Sequence, residues 1–445
     1  MAETVAGFPF WELRFDKDGK PEDPAAIDNF LREAAGQGLT DLFVFSHGWN
    51  NDPKTARDLF QRFFAGVKKL LDNPQLPKRR QAKVGTAGVI WPSILFPDEE
   101  KAAASAAAGG AAGFGGGGQE RDFFTELRKV FPEPEKQAVL DDLQRLLNER
   151  KKSNEALREF KNKLGQLLSG EEMDRSSPDN LEQRGIIETK DSDVRELFES
   201  LAKNESSRPS QGGGAAGLGD AFDKLWDGAK GALRVTTYYQ MKARAGVVGR
   251  NGLGPLLGRL HQAAPDLRIH LLGHSFGARL VSYALSGLPD LPAGAKSPVK
   301  SLFLLQGAFS HFTFADALPF DRRRKGDLAG LASRVDGPLL TTHSLKDLAV
   351  GKAYPAAAII ARQDASAAGD VVSRWGAMGN DGAQAVKATG KPLSKPGTAY
   401  PFETGKWLNL DGNQVIVKGG PPSGSHSDIV HPETAWAALA AAGIG

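Results

Sequence analysis

The chain has 445 residues, of which 40% are hydrophobic and 24% are charged. This composition supplies enough apolar side chains for a sizeable core and excludes global disorder. Cysteine is absent, which excludes disulfide scaffolds, thiolate metal sites and cysteine nucleophiles. The formal net charge is only +3, which gives no support for a nucleic-acid partner.

The N-terminal part of the chain alternates predicted strands with predicted helices. Residues 8–15 are rich in aromatic side chains and predict an edge strand, followed by a hairpin turn at Asp18 and Gly19. Apolar spacing predicts helices over residues 24–37 and 53–71 and strands over 39–46 and 83–91. This alternation is typical of an α/β fold in which helices cover both faces of a mostly parallel central sheet.

Residues 98–219 differ in composition from the rest of the chain. Residues 102–118 are nearly all alanine and glycine, and residues 212–219 are also rich in glycine, which is typical of flexible segments. The stretch between them is densely charged, and Leu140, Leu143 and Leu147 have the spacing of one helical face. We therefore predict that residues 98–219 form a mainly helical insertion, a cap or lid, in a core formed by residues 1–97 and 220–445.

The pattern of strands and helices resumes after the insertion. Helices are expected over residues 221–242, 255–263 and 432–442, and strands over 267–272, 299–305, 337–342 and 414–417.

No stretch approaches 18 consecutive strongly apolar residues, so no transmembrane segment is expected. The start of the chain has an acidic residue, Glu3, where a signal peptide needs basic ones. We expect a cytoplasmic protein, with export by a leaderless route left open.

The motif with the strongest chemical implication is Gly273-His274-Ser275-Phe276-Gly277, which fits G-x-S-x-G. An apolar strand precedes it, and a run compatible with a helix follows it. A serine on such a tight strand-to-helix turn needs flanking glycines, because larger side chains there would clash. The turn directs the hydroxyl to the carboxyl edge of the sheet, and the N-terminus of the following helix favours developing negative charge. The motif therefore predicts that Ser275 is a nucleophile.

A second motif, His47-Gly48-Trp49, directly follows a predicted buried strand. With these two motifs the chain resembles the α/β-hydrolase family, whose members often carry His-Gly at the end of an early strand. The resemblance implies a serine hydrolase with an α/β-hydrolase fold. It also implies that the backbone N–H groups of Trp49 and Phe276 form the oxyanion hole.

The resemblance further implies the chain order of the remaining catalytic residues, with an acid and then a histidine after the nucleophile. Asp347 follows a predicted buried strand, where the family usually has its acid, and Asp316 after the preceding strand is the alternative. His426 lies in a polar loop before the final helix, which is the family's position for the base. His431 is the alternative base, although it directly precedes Pro432 and is expected to cap that helix.

These residues together predict a Ser-His-Asp triad in which Ser275 attacks a carbonyl carbon, His426 transfers the proton and Asp347 orients the imidazole. We predict cleavage of carboxylic esters through an acyl-enzyme, as in esterases and lipases, with no cofactor and no metal. An amidase, a peptidase or a thioesterase would use the same triad, and a catalytically silent binding protein is a further alternative. The expected partner is a small-molecule or lipid ester, with contact to a lipid surface and the oligomeric state left open.

Overall fold

The computed structural model describes residues 2–93, 120–168, 190–205, 218–290, 292, 294–352, 376–420 and 423–445. The chain divides into two compact units. We name the first the sheet unit, and it comprises Met1–Ser93, Arg244–Gly351 and Gly376–Gly445. We name the second the helical unit, and it comprises Ile94–Ala243 and Lys352–Trp375.

One β-sheet forms the centre of the sheet unit. Within the described residues its nine strands are β1 (Glu3–Val5), β2 (Phe8–Arg14), β3 (Asp41–Ser46), β4 (Val84–Ile90), β5 (Arg268–His274), β6 (Val299–Leu305), β7 (Leu339–His343), β8 (Ala388–Pro392) and β9 (Trp407–Asp411). Their order across the sheet is β1-β2-β4-β3-β5-β6-β7-β9-β8. Strands β1 and β2 are antiparallel, and all other neighbours are parallel. The prediction of an α/β fold with a mostly parallel sheet is confirmed.

The described helices agree with most of the predicted ones. They are α1 (Pro24–Gly36), α2 (Pro53–Asp72), α3 (Glu120–Val130), α4 (Pro134–Glu149), α5 (Asn154–Leu168), α6 (Val194–Glu205), α7 (Leu218–Val247), α8 (Gly254–Ala263), α9 (Phe276–Gly287), α10 (Leu348–Lys352), α11 (Met378–Asp381) and α12 (Pro432–Ala441). A π-helical turn, Val248–Leu253, joins α7 to α8. The helices predicted separately over 221–242 and 255–263 are therefore one continuous helical run.

Helix α2 fixes the position of the loop that follows β3. Asp52 is its N-cap and accepts a hydrogen bond from the backbone N–H three residues later at 2.6 Å, which stabilises the first turn. The buried face of α2 contacts Phe45 of β3 through three aromatic side chains, Phe60, Phe63 and Phe64, with ring centroids 4.9–6.2 Å apart. Because this cluster holds α2 on the sheet, the connecting loop with His47 starts and ends at fixed points.

Two predicted strand features differ in the structure. The predicted strand over 414–417 is wrong: Val415 N and Ile416 N both donate to Gly412 O in a turn, and the nearby strands are β8 and β9. Strand β8 is exposed along its whole length, so it has no buried apolar face for a sequence pattern to reveal. The strand predicted at the edge, β2, lies one position inside it, because β1 pairs with its outer side. The turn predicted at Asp18 and Gly19 is present, and an isolated antiparallel bridge joins Phe15 to Pro21 across it.

In the helical unit, α4 buries the leucine-rich face that the spacing predicts, including Leu140, Leu143 and Leu147. Helix α5 also buries an apolar face, which includes Leu157, Phe160 and Leu164. Residues 102–118 and most of 212–219 lie outside the described residues. The role of residues 98–219 as a cap stays a prediction. In the part of the chain that the structure describes, no helix is long and apolar enough to cross a membrane.

Candidate active site

Ser275 lies in the turn between β5 and α9. It has a φ of 57° and a ψ of −122°, a conformation that is strained for a residue with a Cβ. Its backbone N–H donates to Leu305 O of β6 at 3.1 Å, and its carbonyl accepts from Ala278 N at 3.1 Å. These bonds fix the serine at the carboxyl ends of the parallel strands. This is the strand–turn–helix context that the G-x-S-x-G motif requires.

The two motif glycines are needed because backbone atoms lie against them. A Cβ on Gly273 would lie 2.4 Å from Gly277 O, and a Cβ on Gly277 would lie 2.1 Å from Ser46 O. Both distances are far below van der Waals contact, so any larger residue would move β3 or α9. The glycines thus allow the nucleophile turn to pack directly against the end of β3, where the second motif begins.

The predicted base and acid are hydrogen-bonded to each other. His426 Nδ1 donates to Asp347 Oδ2 at 2.7 Å, and the Asp347 side chain is fully buried, whereas the His426 side chain is 12% exposed. The two loops are also joined by their backbones, since Ser425 N donates to Lys346 O at 3.0 Å. Because a carboxylate only accepts, His426 carries a proton on Nδ1, and in the neutral ring Nε2 is then the unprotonated nitrogen.

His426 lies beside the nucleophile turn. Its ring centroid is 5.0 Å from that of His274, the residue before Ser275. Among the described residues, no hydrogen bond joins the Ser275 hydroxyl to the His426 ring. In free enzymes such bonds are often long and shorten when substrate binds. The structure thus brings Ser275, His426 and Asp347 to one edge of the sheet, and their catalytic roles stay predictions.

Gln306 is a site residue that the sequence analysis missed. It follows β6 with a φ of 46°, and its buried Nε2 donates both to Asp347 Oδ2 at 2.9 Å and to Gly379 O at 3.0 Å. The oxygen that accepts from His426 therefore also accepts from Gln306, which restricts rotation of the carboxylate. The only sequence signal was its position at the end of a strand, because the contact depends on the tertiary fold.

The two residues predicted to form the oxyanion hole lie side by side. The rings of Trp49 and Phe276 have centroids 6.2 Å apart. A Cβ on Gly48 would lie only 2.7 Å from Ser275 Cβ, so the loop after β3 contacts the nucleophile directly. Phe276 is the first residue of α9, and backbone amides at a helix N-terminus favour negative charge.

Side chains hold the peptide groups of this loop in place. His47 Nδ1 donates to Gly48 O at 2.8 Å, and Trp91 Nε1 donates to His47 O at 3.0 Å. Asn51 Nδ2 donates to Gly48 O at 3.2 Å and to Trp49 O at 3.0 Å. With these carbonyls bound, the peptide planes cannot rotate freely, so the direction of each N–H is fixed before any substrate arrives.

Two buried histidines near the nucleophile are uncharged at neutral pH. Burial lowers the pKa of His47 to about 4. Burial, with a smaller contribution from the neighbouring His426, lowers the pKa of His274 to about 3. Neither ring therefore adds positive charge beside the site, and each serves as a fixed hydrogen-bonding group.

The alternative acid and base lie outside this cluster. Asp316 is exposed in the loop after β6. His431 is the N-cap of α12, and its Nε2 donates to Asp428 Oδ1 at 2.9 Å. Asp428 in turn accepts from the backbone N–H groups of Val417 and Lys418 through its other oxygen. The bonds of His431 and Asp428 therefore support the loop that carries His426.

Comparisons of the chain with protein-family models, with curated proteins and with solved structures found no match. Among the residues that the structure describes, no group of three or more His, Asp or Glu side chains could hold a metal ion.

Proposed function

We propose that this chain is a serine hydrolase that cleaves carboxylic esters. One observation carries the proposal: Ser275 has a strained backbone at a strand-to-helix turn, at the sheet edge where His426 donates to the buried Asp347 at 2.7 Å. A strained turn of this kind has a conformational cost and persists where the fold enforces it, which is typical of catalytic positions. A structural serine would have no need of it.

The steps follow from the protonation states of the three side chains. With its Nδ1 proton directed at Asp347, His426 has a basic Nε2 that takes the proton of the Ser275 hydroxyl as the oxygen bonds to the ester carbonyl carbon. The imidazolium then gives this proton to the departing alkoxide, which leaves an acyl-enzyme. Water attacks the acyl carbon by the same route and releases the acid and the free serine.

The oxyanion of each tetrahedral intermediate would bind to the N–H groups of Trp49 and Phe276. Removing one such donor typically costs about 3 kcal/mol of transition-state stabilisation. The hydrogen bonds from Asn51 and Trp91 to the backbone carbonyls of the loop after β3 favour this role. Donors that these bonds have already oriented need no reorganisation during the reaction. Esters are the proposed substrates because an alkoxide leaves more readily than an amide nitrogen.

We infer further that the fold is that of the α/β hydrolases. In support, the nucleophile follows β5, the acid follows β7, and the base lies between β9 and α12, which is the chain order Ser, acid, His. The central strands are parallel, so residues that follow them gather at one edge of the sheet.

Labelling by a fluorophosphonate probe tests the proposal. The wild type is expected to react covalently, and Ser275→Ala is expected to lose the reaction while it stays folded. A panel of p-nitrophenyl esters with increasing acyl length then measures substrate preference. A wild type that reacts with the probe but cleaves only thioesters or amides would change the substrate class. A wild type that does not react at all would favour a catalytically silent binding protein.

A further inference from the structure

We propose that His274 is a positioning residue that ties the loop of the base to the nucleophile turn. This inference rests on the proposed hydrolase function, because it assigns His426 and Ser275 as base and nucleophile. His274 is the variable residue before the serine in G-x-S-x-G, and the motif itself requires no histidine there. Its role follows from its contacts.

The ring of His274 joins two distant parts of the chain. Its Nε2 donates to the backbone carbonyl of His426 at 2.9 Å, across 152 residues of sequence. The other side of the ring faces the loop after β3, since a Cβ on Gly48 would lie 3.2 Å from His274 Nδ1. With only 5% of its surface exposed, the ring is held between this loop and the loop that carries His426.

The other backbone bonds of the His426 loop run elsewhere. Ser425 N donates to Lys346 O at 3.0 Å, and Asp428 N donates to Ser425 O at 3.0 Å. These two bonds hold the loop to the segment of Asp347 and to itself, and neither reaches the nucleophile turn. They orient the base toward its acid, whereas the His274 bond sets the separation between the base and Ser275.

The charge state of His274 suits this task. Because the carbonyl accepts, a proton lies on Nε2. The titratable groups that face it are His426, Asp347 and His47, and burial keeps its pKa near 3. A neutral ring 5.0 Å from His426 does not oppose the positive charge that His426 acquires when it takes the serine proton. A lysine or arginine could donate the same bond but would oppose that charge.

Two substitutions separate positioning from general structural support. His274→Leu removes the donor at similar size, and His274→Gln keeps an N–H donor of similar reach. We expect His274→Leu to lower kcat/KM for p-nitrophenyl butyrate, and the rate of fluorophosphonate labelling, by about 10- to 100-fold, since a displacement near 1 Å has costs of this size. The loss should fall on kcat, with KM nearly unchanged, and His274→Gln should recover most of it.

His270→Leu is the matched control, because His270 is a buried histidine of the same strand that bonds at the opposite sheet edge. It should lower the melting temperature and leave kcat/KM per folded molecule unchanged. Equal losses in His274→Leu and His274→Gln, or full activity in His274→Leu, would overturn the positioning role alone. The proposed function itself fails only if the wild type does not react with the probe.

A spectroscopic measurement decides the matter if His274→Leu does not fold. NMR of the wild type with ¹⁵N-labelled histidine, assigned with His274→Gln, should show the Nε2–H tautomer for His274 from pH 5 to pH 8. An Nδ1–H tautomer, or a titration of this ring within that range, would contradict the proposal.

Discussion

The sheet carries two Ser-His-Asp arrangements, one at each edge. At the carboxyl edge, His426 donates to Asp347 beside Ser275. Near the amino edge, His270 Nε2 donates to Asp41 Oδ1 at 2.9 Å, and its Nδ1 lies 2.9 Å from Ser301 Oγ. The same three residue types therefore meet twice in one sheet, and only the first arrangement has the features of a catalytic site.

The difference lies in the backbone and in access to solvent. Ser301 lies within strand β6, whereas Ser275 has a positive φ and begins a helix. The His426 side chain is 12% exposed and the His270 side chain 1%, so only His426 can exchange protons readily with a substrate or with water. The identity of the side chains therefore does not distinguish the two arrangements, which differ in the backbone of the serine, in the helix that follows it and in the exposure of the histidine ring.

At the amino edge the carboxylate serves stability. Asp41 is fully buried and accepts from Thr40, His270 and the guanidinium of Arg80. Burial alone raises the pKa of Asp41, but these hydrogen bonds outweigh it and hold the pKa well below its usual value. Arg80 also donates to Ala442 O beyond α12, so the cluster fastens the last helix to the amino ends of the strands.

The largest expected effect is on the nucleophile. Ser275→Ala should lower kcat by at least about 10⁴-fold, because the remaining groups cannot form the acyl-enzyme. Ser301→Ala, its counterpart at the other edge, should leave kcat within about twofold per folded molecule. Steady-state hydrolysis of p-nitrophenyl butyrate measures both variants. Comparable losses in the two variants would remove the distinction between the edges.

The next largest effect concerns the acid. Asp347→Asn keeps the shape but allows the amide to donate to His426 Nδ1, which favours the wrong tautomer, and kcat should fall by about 10⁴-fold. The matching Asp41→Asn should leave kcat nearly unchanged. The kcat of both variants is measured at equal concentrations of folded protein, with folding checked by circular dichroism. An active Asp347→Asn variant would argue against Asp347 as the catalytic acid.

The third effect is on stability, and here the larger change is expected at the amino edge. Asp41→Asn should lower the free energy of unfolding by about 3 kcal/mol at pH 7, because it leaves buried donors without a charged acceptor. A carboxyl whose pKa is lowered by folding stabilises the fold above its unfolded pKa of about 4, and this contribution is lost as the pH falls further. Urea unfolding measured from pH 7 down to pH 3 should therefore show that the difference in unfolding free energy between wild type and Asp41→Asn decreases below about pH 4. A difference that does not depend on pH would contradict a stabilising role for the ionised carboxylate of Asp41.

The smallest effect concerns the support of the acid. Gln306→Leu removes one donor from Asp347 Oδ2 but leaves the His426 bond in place, so kcat/KM should fall by about 10-fold. At the other edge, Ser301→Ala removes the hydrogen bond between the serine hydroxyl and His270 and should alter stability alone. Activity and melting temperature of the two variants measure this contrast. A Gln306→Leu enzyme with unchanged kcat/KM would show that the remaining bonds of Asp347 orient it without Gln306.

The parts of the candidate site that could be predicted from residues alone have local signals: the glycines around Ser275 and the strand before it are contiguous in sequence. Asp347 and His426 were indicated by the chain order that the family resemblance implies. The structure joins these two side chains by a hydrogen bond, and their catalytic roles stay predictions. Gln306 was missed because its contact with Asp347 depends on how two loops pack. The amino-edge cluster was missed because its members, Asp41, His270 and Ser301, lie within strands and are distant in sequence.

Mass spectrometry of the fluorophosphonate-treated protein identifies the nucleophile. After proteolysis, we expect one adduct, on the peptide that contains Ser275, and no adduct on the peptide with Ser301. An adduct on a different serine, or none in a folded wild-type protein, would contradict the assignment of the carboxyl-edge residues as a catalytic triad.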